Sequence, residues 1–209
     1  MTTMKEIAEK TGVSVSTVSL VLNKRDVGRV KPDIAQRVRQ TATDLGYKPN
    51  PLARSLRTSK TRILGFISEE VATTPYAGGI ILGAQDAAST YGYMLITVST
   101  DGQASEESEI AALKRYGVDG FFYSKMSNRI ATVPKSLSDY PVVLVDATDA
   151  NNTLPSVEPD EFQIAYDATS RLIEAGCERI AYVGCSENMI AQDGRLAGYR
   201  AALEGTDHG

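Results

Sequence analysis

The stretch GVSVSTVSLVLN, Gly12 to Asn23, sets the hydroxyl side chains Ser14, Ser16, Thr17 and Ser19 among Val13, Val18, Val21 and Leu22, which recur at helical spacing. A short hydroxyl donates and accepts hydrogen bonds without carrying charge, so this face suits recognition and not bond breaking. Two readings stand open: a solvated surface helix, or a helix whose outer face fits against something large and flat. Parts for bond-breaking chemistry are missing elsewhere. The single histidine, His208, sits next to the last residue and supports no catalytic or zinc scheme. No Gly-rich phosphate loop follows an expected strand, and no serine is flanked by glycines in the hydrolase pattern. Cys177 and Cys185 have neither a partner pair nor metal-ligand spacing and read as reduced thiols of a cytoplasmic protein. No enzyme, cofactor or metal is implied.

Charge is divided along the chain. Residues 1 to 62 carry thirteen Lys and Arg against five Asp and Glu, whereas the remainder carries nine against twenty-one. A small basic head on a larger acidic body is the asymmetry expected when one end meets a polyanion. A length of 209 residues accommodates one small unit and one larger. With 42% hydrophobic and 23% charged residues and no apolar run near the ~20 residues of a membrane span, the chain reads as soluble, without membrane contact.

The elements that must position the hydroxyl face follow from caps and periodicity. Thr3 and Glu6 have capping-box spacing, so a first helix begins at Met4, with Ile7 and Ala8 inward and Gly12 after its end. Ser14 caps a second helix over Val15 to about Leu22. A third starts at Pro32 and stops at Gly46, with Ile34, Ala35, Val38, Ala42 and Leu45 inward. Two helices joined by a short Gly-bearing turn match the helix-turn-helix unit. A Pro-bearing basic connector follows, YKPNPLARSLRTSKTR. Strands and helices then alternate: RILGFIS, YMLITVS, GFFYS, PVVLVDA and RIAYVG as strands, with helices over YAGGIILGAQDAASTYG, SEESEIAALKRYG, EFQIAYDATSRLIEAG and QDGRLAGYRAALEG. This pattern predicts an α/β body of parallel sheets with helices on both faces.

The segments IAEKTGVSVSTVSLVLN, LGYKPNPLARSLRTSKT, GVDG and RLAGYRAAL resemble, in order and spacing, the LacI/GalR family of bacterial transcription repressors. The resemblance implies a small all-α helix-turn-helix head and a body similar to periplasmic sugar-binding proteins, with a small-molecule effector between two α/β subdomains. It divides the chain into a DNA-binding domain over 1–48, a hinge helix and linker over 49–60, an effector-binding N-subdomain over 61–159, itself incomplete, and the start of a C-subdomain over 160–209. Family members run considerably longer, so the chain reads as a C-terminally truncated member, either a fragment or a shortened product, with an incomplete second subdomain.

On this resemblance the partners are double-stranded DNA with a palindromic operator, a small-molecule effector such as a sugar, and, in the full-length form, a second copy of the chain. Ser14, Thr17 and Ser19 are expected to bond phosphate oxygens. Val15, Ser16 and Leu20 match base-reading positions. Leu20 stands where a polar or charged reader is common, so an apolar contact such as a thymine methyl is expected there. Asn23, Thr3, Met4 and Tyr47 match backbone contacts. In the loop KRDVGRVK, longer than the commoner family loop, Lys31 replaces the hydroxyl residue that usually caps the third helix. Asn50, Ala53, Leu56 and Arg57 fall in the hinge segment, where Leu56 matches a leucine that wedges into the minor groove. Too short to be stable alone, this helix is expected to be disordered off DNA.

Effector contacts carry over to Tyr76, Ser124, Asp146 and Arg195. Guanidinium and carboxylate suit sugar hydroxyls, and an aromatic face suits the C–H side of a sugar ring. The motifs TPYA and PDEF both depart from the family's more usual Asn-Pro-Phe-Phe and Asp-Asn.

Overall fold

The computed structural model of the protein describes residues 2–48, 55, 58–69, 74–100, 103–185 and 189–204. The chain divides into two compact units, 1–59 and 60–209.

The first unit is a three-helix bundle. Helix α1 spans Met4–Thr11, α2 Val15–Leu22 and α3 Pro32–Asp44. Thr3 closes the capping box: its hydroxyl accepts from the Glu6 N–H at 3.3 Å, and its own N–H donates to Glu6 Oε2 at 3.0 Å. Gly12, at φ +67°, ends α1 in a left-handed conformation that costs glycine nothing and would strain other residues. Lys31 precedes α3 without a side-chain cap, and Pro32 supplies the favourable first helical φ instead. The expected inward positions meet in one cluster: Ile7, Ala8, Val18, Val21, Ala35, Val38 and Ala42 are buried, with Ile34, Leu45 and Leu22 packed against them. Each large aliphatic side chain removed from water here contributes about 1.5–3 kcal/mol.

In the second unit, β1 is Ile63–Glu69, α4 Pro75–Thr90, β2 Met94–Thr100 and α5 Gln103–Arg115. They are followed by β3 Gly120–Ala131, β4 Val142–Asp149, β5 Ser156–Val157, α6 Glu161–Glu174 and α7 Ile190–Leu203. Among the described residues the strands form one parallel sheet in the order β2-β1-β3-β4-β5. Asp119 fixes the entry to β1 by accepting backbone N–H groups from Thr61 at 3.0 Å and Arg62 at 2.9 Å. The sheet's core is built on Ile67, Phe121, Tyr123 and Leu144, covered by Ile110 and Leu113 of α5. Chain order runs outward from β1 to β2 and then returns to β3 on the other side. The crossover point therefore lies between β1 and β3, and open α/β sheets bind ligands outside the C-terminal strand ends at such a point.

Three expectations are corrected. The strand over GFFYS continues to Ala131 past an irregularity between Ser124 and Arg129. A two-residue edge strand, β5, escapes notice because so short a segment has no readable periodicity. Residues 179–184, RIAYVG, form no ladder, and Val183 is 92% exposed. An apolar run marks a segment that could be buried, but a strand exists only through a paired neighbour, and none pairs with it among the described residues. Here the Ile180 carbonyl accepts from the Tyr199 hydroxyl at 2.8 Å instead.

Candidate functional site

In the head, the hydroxyls of α2 are organised by its cap. Ser14 Oγ accepts from the Thr17 N–H at 3.1 Å and shares hydrogen bonds with Ser16 Oγ at 2.7 Å and Thr17 Oγ1 at 2.9 Å. Each hydroxyl has one donor and two acceptor sites, so the cluster retains capacity for an external partner. Beside it Val15 is 45% exposed, Ser16 is exposed and Leu20 is half-buried. Ser19 and Asn23 are joined: Asn23 Nδ2 donates to the Ser19 carbonyl at 2.7 Å and to Ser19 Oγ at 3.3 Å. Thr3 is engaged in the α1 cap, while Met4 and Tyr47 pack against the head core, where burial pushes the Tyr47 hydroxyl above its ordinary pKa. Asn50, Ala53, Leu56 and Arg57, with the expected ordering of a hinge helix, lie outside the described residues.

The loop between α2 and α3 presents Lys24, Arg25 and Arg29 around Val27, which is 90% exposed. Its anchor is Asp26, a buried carboxylate that accepts from Arg39 Nη2 of α3 at 2.5 Å. The Asp26 carbonyl also accepts from the N–H groups of Arg29 and Val30, both at 2.9 Å. Sequence reading missed this anchor, although an acidic residue in an otherwise basic loop was its signal.

In the α/β unit, the strand ends gather polar groups. Ser68 on β1 registers with Ser124 on β3, both buried, and among the described residues the Ser124 hydroxyl has no hydrogen-bond partner. Ser124 also registers with Val145, the neighbour of Asp146 on β4. Asp146 is buried at φ +51°, a left-handed backbone that costs a non-glycine residue on the order of 1–3 kcal/mol and concentrates at functional sites. Tyr76 lies in the first turn of α4, whose cap Thr74 accepts from the Ala77 N–H at 3.2 Å. Although Tyr76 is 53% exposed, partial burial raises its pKa, as do the charges of Asp146 and Glu161, while Arg195 lowers it. Asp146, Glu161 and Arg195 thus all lie within electrostatic reach of Tyr76.

Arg195 does not stand open. Its Nε donates to Glu161 Oε2 at 2.5 Å and its Nη2 to Glu161 Oε1 at 3.1 Å, a two-pronged pair that holds the guanidinium pKa above its ordinary value. Close helix crossing makes this reach possible, because Gly194 and Gly198 on α7 face the α6 backbone at Glu161 and Phe162. A recess of about 480 Å³ opens here, lined by Asn128, Thr148, Glu158, Glu161, Phe162 and Gly194 among others. Asn128 is buried with an Oδ1 that finds no partner among the described residues and, like Asp146, has positive φ, +45°.

A charged network borders the same strand ends. Lys125 donates to Glu69 and lies 3.7 Å from Glu106, while Arg129 Nη2 donates to Glu69 at 3.1 Å. The Tyr123 hydroxyl donates to Glu106 at 2.5 Å, and burial, then that bond, push its pKa far upward. Sequence reading named neither Glu161 nor this network. For Glu161 the signal was the departure at PDEF; for Lys125 and Arg129 it was two cations at the end of an apolar strand. Among the described residues no group of three or more His, Cys, Asp or Glu could hold a metal ion, and no helix is long and apolar enough to cross a membrane.

Comparison with known proteins places both units. A family model described as bacterial regulatory proteins, lacI family, matches residues 3–50, and one described as periplasmic binding proteins and sugar binding domain of LacI family matches residues 61–208. The HTH-type transcriptional regulator RegA of Clostridium saccharobutylicum is 36% identical over 206 residues, which cover 97% of this chain and 61% of RegA. A solved complex of the transcriptional regulator CelR with cellobiose is similar at 27% identity and a TM-score of 0.57, over 100% of this chain and 63% of that one. The lac repressor dimer bound to operator and the anti-inducer ONPF shares the fold, with a TM-score of 0.72 at 20% identity over 97% of this chain and 61% of its own. The chain therefore spans less than two thirds of each of these relatives, yet both of its units are matched by models of one family: it belongs to the LacI family of bacterial regulatory proteins.

Proposed function

We propose that the protein is a sequence-specific DNA-binding transcriptional regulator, a repressor, whose hold on its operator is controlled by a small-molecule effector. The observation that carries this reading is the outer face of α2, hydroxyl-bearing and organised by its own cap, on a head rich in Lys and Arg. Val15, Ser16 and Leu20 read base edges, and Ser14, Thr17, Ser19 and Asn23 bond backbone, supported by Thr3, Met4 and Tyr47. Asn50, Ala53, Leu56 and Arg57 serve the minor groove at the operator centre, with Leu56 as the wedge.

In the body the effector is a sugar or related metabolite held by Tyr76, Ser124, Asp146 and Arg195. The unpaired Ser124 hydroxyl, the strained Asp146 and the recess at Asn128 support a ligand there. CelR is described in complex with cellobiose, which supports the sugar class. The protein works in the cytoplasm as a binding protein and not as an enzyme, and pairs with a second copy on a palindromic site. Residues 1–48 form the DNA-binding domain, 49–60 the hinge and linker, 61–159 the N-subdomain and 160–209 the start of the C-subdomain.

Selection of DNA from a random pool by the purified chain tests this reading. Enriched two-fold symmetric sites support paired binding, and enriched lone half-sites support the head without the pairing. No enrichment contradicts the proposal.

A further inference from the structure

Each described cation at the sheet's C-terminal edge already has a carboxylate. Glu161 engages Arg195 at two nitrogens, 2.5 and 3.1 Å apart from its oxygens. On β3, flanking the recess residue Asn128, Lys125 donates to Glu69 and lies 3.7 Å from Glu106, and Arg129 donates to Glu69 at 3.1 Å. Carboxylates dominate the recess itself, which Glu158, Asp160 and Glu161 line. Neutral hydrogen-bonding capacity is what remains among the described residues: Asn128 Oδ1 in the recess lining and, four residues earlier on β3, Ser124 Oγ are buried without partners. Such atoms are destabilising until something bonds them, and a ligand hydroxyl can do so.

An anionic ligand would meet a different situation. It would reach only the outer N–H groups of a guanidinium whose charge Glu161 already balances, and it would lie beside the further carboxylates Glu158 and Asp160 that line the recess, so its charge would be left uncompensated. A hydroxyl-bearing ligand can bond the outer edges of the pair while leaving it intact. We propose that Glu161 sets the charge of the ligand admitted: by closing Arg195 in a two-pronged pair, it selects an uncharged, hydroxyl-rich small molecule and turns away phosphorylated or carboxylate-bearing ones. This rests on the reading of the recess as the effector site, and it makes Glu161 a specificity residue.

The test uses inorganic phosphate as the anionic probe, titrated by calorimetry into the whole chain at fixed ionic strength. Wild type, Glu161→Gln and the double variant Glu161→Gln with Arg195→Gln are compared. Gln keeps the length of the side chain, removes its charge and frees Arg195. The expected result is a phosphate site in Glu161→Gln at least tenfold tighter than anything in the other two, whose weak binding reports the basic head. Equal binding in all three chains, or a wild type that binds as tightly as Glu161→Gln, overturns the proposal. Should Glu161→Gln fail to fold by circular dichroism, Glu161→Asn with its Arg195→Gln partner makes the same comparison, and no gain there is equally contradictory. No DNA enters the titration, so its failure leaves the DNA-binding reading standing, and a failed DNA selection leaves the titration unaffected.

Discussion

A side-chain carbon added at Gly198 of α7 would lie 2.1 Å from the carbonyl oxygen of Phe162 on α6. Real carbon and oxygen atoms do not approach so closely, so the helix crossing depends on glycine at that position. Gly198→Ala should push α7 off α6 and destabilise the α/β unit by about 1–3 kcal/mol. It should also loosen the Arg195–Glu161 pair one turn earlier on the same crossing. Urea unfolding of the variant checks the cost; an unchanged midpoint would show that the helices separate freely.

Ile7 is fully buried among Val18, Val21 and Val38 in a head too small to hold much reserve. Ile7→Ala should cost about 2–5 kcal/mol. A three-helix unit of this size supplies only about 3–5 kcal/mol in all, so the head should unfold and lose DNA binding while the α/β unit keeps its thermal transition. Persistent DNA binding by Ile7→Ala would contradict the assignment of this cluster as the head's core.

Asp149 closes the turn after β4. Its carboxylate accepts backbone N–H groups from Thr153 and Leu154, which hold its pKa at about 2, below the ordinary 3.8. A depressed carboxylate stabilises the fold fully above its unfolded value, and that contribution is lost as pH falls from about 4 through about 2. Asp149→Asn should therefore be less stable than the wild type at neutral pH, with the gap between the two urea midpoints narrowing as pH falls from about 4 through about 2. A gap that stays constant with pH would show that the carboxylate charge is irrelevant to the turn.

On the proposed reading Leu20 gives the duplex only an apolar contact from α2. Leu20→Arg should move the preferred base at one position of each half-site from thymine toward guanine, a discrimination worth about 1–3 kcal/mol. Selection from the same random pool reads this directly. An unchanged preference would remove Leu20 from the base-reading set.

The head was legible because its signals are local. Thr3 with Glu6, Ser14, Gly12 and Pro32 each state a helix boundary through the immediate chemistry of a cap, and each stands where expected. RIAYVG was misread because apolar patterning reports burial, whereas pairing depends on a distant partner. The candidate site was half legible. The charges of Asp146 and Arg195 both reach Tyr76, but the departure at PDEF did not say that Glu161, 34 residues before Arg195, would occupy its guanidinium. That contact arises from the close α6–α7 crossing, which is a property of packing. The same holds for Asp26 and Arg39, which meet across 13 residues to fix the basic loop.

The most direct test of the central claim is the affinity of the chain for its selected DNA, measured by fluorescence anisotropy from about 50 to 200 mM salt, where counterion release dominates. Log affinity should fall linearly with log salt, steeply enough to report several phosphate contacts. Arg25→Ala and Arg29→Ala should each lower the slope by about one without changing the preferred site. Binding that ignores salt, or slopes that ignore both arginines, would contradict a head that docks on the DNA backbone through its basic loop and the hydroxyl face of α2.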